Sequence, residues 1–224
     1  MKKGFNILLI FAAIVLIHSC KNNDNVFPKV LPTNLNVLNA SADTLNYSLN
    51  GTRQNNGSSL FPTGQTNYLT INAGQATHQF KKAGSFNVLF NLPLKLTDSS
   101  YYSLFVCGNT ADKSFLVLDQ LYQDTVTNST QIRFVNASPD AGNLDFFAGD
   151  TINYKSAPFK GISAFLQTGS GLKEVKIYQS GSANPLIDTS IAFQPGYIYT
   201  LFSKGTLNGK GTSVFDVGVA STNL

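Results

Sequence analysis

Asn136-Ala137-Ser138-Pro139-Asp140 repeats, with one change, the run Asn39-Ala40-Ser41-Ala42-Asp43 that stands 97 positions earlier. The same offset places Gly64 on Gly161, Gly74 on Gly171, Gly84 on Gly181, Tyr102 on Tyr199, Phe105 on Phe202 and Asp119 on Asp216. One module is therefore used twice. A period this long marks a whole domain, because stacked solenoid repeats run at about 20–50 residues and small sandwich domains at about 100.

Inside each copy the short runs favour strands. Residues 77–81 and 172–178 alternate, with the larger apolar groups on one face. Residues 101–106 and 197–202 are aromatic and apolar on both faces, which predicts central strands. Gly and Asn clusters at 50–51, 55–58, 72–74, 169–171 and 208–211 separate the runs as turns. About seven short strands per copy predict an all-β chain of two tandem immunoglobulin-like antiparallel β-sandwich domains. Copy one is expected over 33–122 and copy two over 131–224, joined by a Thr-, Asn- and Ser-rich linker at 123–130. A link of about eight residues reaches at most about 28 Å, so the copies should sit in or near contact.

The N-terminus carries Lys2 and Lys3, an apolar run over 7–17, and then His18, Ser19 and Cys20. That is the charged, apolar and small-residue order of a secretory signal. The run is too short to span a bilayer, which takes about 20 residues. Ile17-His18-Ser19-Cys20 resembles a bacterial lipobox, the alternative being an ordinary secretory signal with a chance Cys. The lipobox implies a signal peptide at 1–19, lipidation of Cys20 and a polar tether at 20–32. The partner it implies is a membrane, reached through the N-terminal lipid.

The formal charge of +4 falls to about +2 once Lys2 and Lys3 are removed, too little for a nucleic-acid partner. Cys20 and Cys107 are the two cysteines. If Cys20 is lipidated, no internal disulfide forms, and each copy must hold together by apolar burial. Cys107 faces Lys204 in the repeat, which reads as a strand-end filler rather than a tuned nucleophile.

Catalysis by Ser or Cys needs a base. His78 is the one histidine after the signal, and Val175 stands opposite it in copy two, so it reads as a surface or half-buried filler. No His pair, spaced Cys pair or acidic calcium loop predicts a metal site. The single glutamate, Glu174, gives little support to two-carboxylate glycoside hydrolysis. The Gly-rich segment 205–211 reads as a hairpin rather than a phosphate loop. No catalytic residue, no metal and no cofactor are expected, and the protein is read as a non-enzyme.

Asp43, Asp119, Asp140 and Asp216 read as turn and strand-end residues, since Asp and Ser accept bonds from nearby backbone N–H groups. Tyr47, Tyr122, Tyr154 and Phe159 are candidate exposed aromatics for sugar stacking, in a chain without Trp, the alternative for each being a place in the core. Asp43-Thr44-Leu45, Asp124-Thr125-Val126 and Asp150-Thr151-Ile152 resemble the Asp-Thr-aliphatic O-glycosylation signal of Bacteroidota. Thr125, in the expected linker, is the best placed.

Copy two opens with the strand 132–135, the Ala-Ser-Pro-Asp-Ala turn at 137–141 and a second strand carrying Asp145. With Phe165, Leu166, Gly169, Gly171, Tyr197, Tyr199 and Leu201, this resembles the domain family of unknown function numbered 4397. Copy one is more divergent, with Ala42 for the Pro and Asn46 for the second Asp. The resemblance implies immunoglobulin-like sandwiches, often in tandem and on lipoproteins of Bacteroidota, and implies no reaction. The resulting expectation is a lipid-anchored cell-envelope protein, on the outer membrane with its face open, presenting a binding or spacer surface to an envelope protein or glycan. The alternative is a surface carbohydrate-binding component of a glycan-uptake system.

Overall fold

A computed structural model describes residues 31–121 and 128–223. Copy one contains β1 (Pro32–Asn39), β2 (Leu45–Leu49), β3 (Thr52–Arg53), β4 (Leu69–Asn72), β5 (Gly74–Lys82), β6 (Val88–Leu96), β7 (Tyr101–Val106) and β8 (Phe115–Leu118). Copy two contains β9 (Ser129–Val135), β10 (Leu144–Ala148), β11 (Ile152–Ala157), β12 (Leu166–Gly169), β13 (Gly171–Gln179), β14 (Pro185–Phe193), β15 (Ile198–Lys204) and β16 (Asp216–Thr222). Among the described residues each copy thus has eight strands, one more than the run count predicts, the short β3 and β11 hairpin arms being separate strands. β9 begins inside the stretch read as linker.

Each copy is a pair of four-stranded sheets, ordered β4-β1-β7-β8 over β3-β2-β5-β6, and β12-β9-β15-β16 over β11-β10-β13-β14. The pairings are antiparallel except β1 with β7 and β9 with β15, which run parallel. The sandwich expectation holds, with one parallel pair in each copy. Alternation does the work: Leu35, Val37, Tyr47, Phe80 and Leu104 point between the sheets of copy one, and Ile132, Phe134, Phe146, Ile177 and Leu201 do so in copy two. Phe134 and Phe146 stack across the second core with centroids 4.6 Å apart.

The expectation that each copy holds itself together alone is incomplete. A third apolar core contains Leu38, Phe105 and Cys107 of copy one together with Val135, Phe202 and Ala220 of copy two. Leu38 follows the inward Val37, Phe105 follows Leu104, and Phe202 follows Leu201, so these residues occupy the opposite faces of the same strands. Phe105 meets Phe202 edge-on at 5.8 Å. Every residue of β9 and β15 is consequently buried. The two-faced apolarity of 101–106 and 197–202 marks strands covered on one side by their own sandwich and on the other by the sister copy. The described residues of both copies form one compact unit.

Candidate functional site

The repeated Asn-Ala-Ser run is a structural hub, and the hydrogen-bonding centre is the Asn rather than the Ser and Asp expected from turn chemistry. Asn39 Nδ2 donates to the carbonyls of Asp43 and Leu60, while its Oδ1 accepts from the Ser41 amide and hydroxyl. Asn136 does the same with Gly142, Ala157, Ser138 and the Ser203 hydroxyl. Both side chains are fully buried, so each amide must satisfy its whole donor and acceptor complement locally. Each Asn backbone also pairs with a tight turn, through Gly64 in copy one and Gly161 in copy two. A Cβ at either glycine would lie 2.9 Å or less from the carbonyl of Phe61 or Pro158, which explains why Gly64 matches Gly161.

The copies part company beside this hub. In copy two, β11 runs to Ala157 and closes the edge of β10 with backbone pairs. In copy one, β3 stops at Arg53 and a loop takes over. There the Asn55 side chain replaces the missing strand. Its Oδ1 accepts from the Tyr47 amide at 2.9 Å, and its Nδ2 donates to the Leu45 carbonyl at 3.3 Å and the Ser58 carbonyl at 3.0 Å. Ser59 adds a bond to Asn46 at 3.1 Å.

The loop so pinned forms one wall of a cavity of about 420 Å³, with the turn around Gly64 as the other. That volume lies within the ~300–1,000 Å³ usual for small-molecule sites. Its lining carries amides and hydroxyls from Gln54, Asn56, Ser58, Gln65, Thr66 and Asn67, and no charged side chain. Phe61 stands at the rim, 62% exposed. Gln65 is braced from both copies: its Oε1 accepts from Asn36 of copy one at 2.8 Å, and its Nε2 donates to the Ser221 carbonyl of copy two at 3.3 Å. Copy two has Ile162 and Ala164 where copy one has Gln65 and Asn67, so the polar lining belongs to copy one. The reading of 55–58 as a turn separator passed over this site, although the density of Asn, Gln and Ser from 54 to 67 is its signal.

The residues singled out in the sequence do not converge. Cys20, Tyr122 and Thr125 lie outside the described residues. Cys107 is buried in the shared core, and burial pushes its thiol well above the usual range, as befits a filler. His78 is not at the surface: it is fully buried, its Nδ1 hydrogen-bonds Tyr47 Oη at 2.9 Å, and desolvation lowers it to about 4. Tyr47 is a core residue, its hydroxyl pushed up by burial, while Tyr154 and Phe159 pack against cores. None of these three is an exposed platform. Glu174 pairs with Lys176 at 2.9 Å on the surface.

Asp43 contacts Lys82, Asp140 accepts from Ser138 and from the Leu207 amide, and Asp216 opens β16; these three are turn and strand-end groups. Asp119 is different. It is buried between the copies, where its carboxylate meets Arg133 Nη1 at 2.7 Å and accepts from Ser103 and Tyr68 hydroxyls at 2.7 and 2.6 Å. Burial, reinforced by this carboxylate, pushes the Tyr68 hydroxyl up. Arg133 also donates to Thr200 at 2.9 Å and lies over the Phe165 ring. Among the described residues no three His, Cys, Asp or Glu side chains are grouped to hold a metal ion, and no helix is long and apolar enough to cross a membrane.

The chain matches the family described as Domain of unknown function (DUF4397) twice, over residues 33–147 and 130–222. No curated protein matches it. Among solved structures it is similar to CBMbc (family CBM26) from Eubacterium rectale Amy13K, crystallised in complex with maltoheptaose. That similarity covers 87% of this chain and 98% of the other at 9% identity and a TM-score of 0.25, a level at which nothing about ligand carries across.

Proposed function

The chain belongs to the DUF4397 family in two tandem copies, and we propose that it is a non-enzymatic, lipid-anchored cell-envelope protein that binds a neutral, hydrogen-bonding ligand in the copy-one cavity. The observation that carries this reading is the uncharged amide and hydroxyl lining of that cavity, built where the two copies diverge. Groups of this kind both donate and accept, which suits the hydroxyls of a glycan or the polar loop of an envelope protein. Phe61 favours the sharper reading, a carbohydrate-binding component of a glycan-uptake system, because an exposed ring at a polar rim can take the C–H face of a sugar.

The anchor rests on Lys2, Lys3, the apolar run and Cys20. Acyl chains contribute about 0.8 kcal/mol per buried methylene, so two or more hold stably. Cys20→Ala is expected to move the protein from the membrane to the soluble fraction and to abolish labelling by radioactive palmitate. Protease shaving of intact cells distinguishes the surface face of the outer membrane from the periplasmic one.

Ligand binding is tested on an array of neutral polysaccharides and oligosaccharides with the purified protein. Phe61→Ala and Asn67→Ala should each weaken a retained glycan by roughly tenfold or more, equivalent to about 1.4 kcal/mol. Indifference of every retained glycan to both changes, or no retention of any glycan or envelope protein, overturns the reading.

A further inference from the structure

We propose that copy two carries a second, independent carbohydrate site, an aromatic corner on the outer face of its β10–β13 sheet that takes a neutral pyranose ring. Leu144, Phe146, Val175 and Ile177 point into the core, so Asp145, Phe147, Lys176 and Tyr178 point outward. Phe147 and Tyr178 stand at 90° with centroids 5.8 Å apart. Two perpendicular rings make a corner in which one can lie beneath a sugar's C–H face while the other abuts its edge. With Ser182 and Ala183 from the β13–β14 turn, they bound a depression of about 360 Å³, again within the ~300–1,000 Å³ of small-ligand sites.

Asp145 is fixed before any ligand arrives. Its Oδ1 accepts from the Ser180 hydroxyl at 2.6 Å and the Ser156 amide at 2.8 Å. These bonds, the hydroxyl first, hold its carboxyl below the usual carboxylate range. Its Oδ2 accepts no bond among the described residues, which leaves it for a ligand hydroxyl. The pairing of β10 with β11 breaks register at this residue, and such bulges re-aim side chains.

The sister copy supplies the control. Strand registers put Asn46, Ser48, Gln79 and Lys81 of copy one where copy two has Asp145, Phe147, Lys176 and Tyr178. The same sheet face folds there without either ring, so the fold does not require the aromatic pair. Charge selects the ligand. Lys176 and Lys155 at the rim oppose a cation, the latter with Nζ 5.8 Å from the Phe147 centroid. Asp145, Glu174 and Asp188 oppose an anion, the last two contacting Lys176 at 2.9 and 3.9 Å. A neutral ring with vicinal hydroxyls meets neither objection.

Saturation-transfer NMR of the full-length protein with methyl glucoside, mannoside, galactoside and N-acetylglucosaminide tests the proposal, alongside the neutral-glycan array. At least one probe should show transfer, and Phe147→Ala, Tyr178→Ala and the cavity-filling Ala183→Trp should each weaken it by roughly tenfold or more. Ala183→Trp removes no core contact and keeps the test sharp if a ring deletion disturbs the sheet. Phe61→Ala should leave this signal unchanged. Transfer lost in Phe61→Ala but kept in the copy-two variants overturns this site while sustaining the copy-one cavity, and absence of any transfer or array binding overturns it outright.

Discussion

Arg133 and Asp119 come from different copies and form an ion pair at 2.7 Å with both side chains almost wholly removed from water. Across the repeat their counterparts are Asn36 and Asp216, so the copies share one such pair rather than two. It sits beside the Phe105–Phe202 contact and the Gln65 bonds to Asn36 and the Ser221 carbonyl. The interface thus braces a wall of the copy-one cavity.

Removing one member leaves a buried charge without its partner. Asp119→Ala or Arg133→Ala should lower the unfolding free energy by about 3–5 kcal/mol, whereas Asp119→Leu with Arg133→Met should recover much of the loss. Calorimetry reads both effects. A single replacement that leaves the transition unmoved refutes a stabilising pair.

His78 makes stability depend on pH. Its ordinary value is 6.5 and its folded value about 4, so between these pH values the unfolded chain holds a proton that the folded chain lacks. Stability is fully present above 6.5 and falls as pH drops towards 4, by on the order of 3 kcal/mol. Tyr47→Phe with His78→Val installs the residues that copy two uses, Phe146 and Val175. Urea midpoints for this double variant should lose the part of the slope that belongs to the histidine.

Asn136→Ala removes a buried amide that serves four partners. Each buried group left unpaired costs about 1–3 kcal/mol, so a loss of at least ~2 kcal/mol is expected, and Asn39→Ala should behave alike. Denaturant titration checks this, with an unchanged midpoint as the contrary result.

Asn55 keeps the copy-one loop in place through Tyr47, Leu45 and Ser58. Asn55→Ala should open residues 54–59 to limited proteolysis and weaken any ligand of the cavity, at a global cost of only about 1–2 kcal/mol. Cleavage there at the wild-type rate argues against the pinning role.

Local pattern carried the fold class a long way. Alternation over 77–81 and 172–178 located β5 and β13, and the repeat of Asn-Ala-Ser with its glycines located two equivalent sandwiches. These signals are readable because strand period and turn chemistry depend on near neighbours. Phe105, Phe202, Asp119 and Arg133 are another matter. Their hydrophobicity or charge is plain in the chain, but that they face one another depends on segments 97 positions apart for the first pair and 14 for the second packing outer face to outer face. For the same reason the sequence leaves His78 between surface and half-buried and Tyr47 between surface and core, and only the pairing of β2 with β5 encloses both. The cavity of copy one and the aromatic corner of copy two likewise exist only once neighbouring strands bring distant side chains onto one surface, an arrangement that no local period encodes.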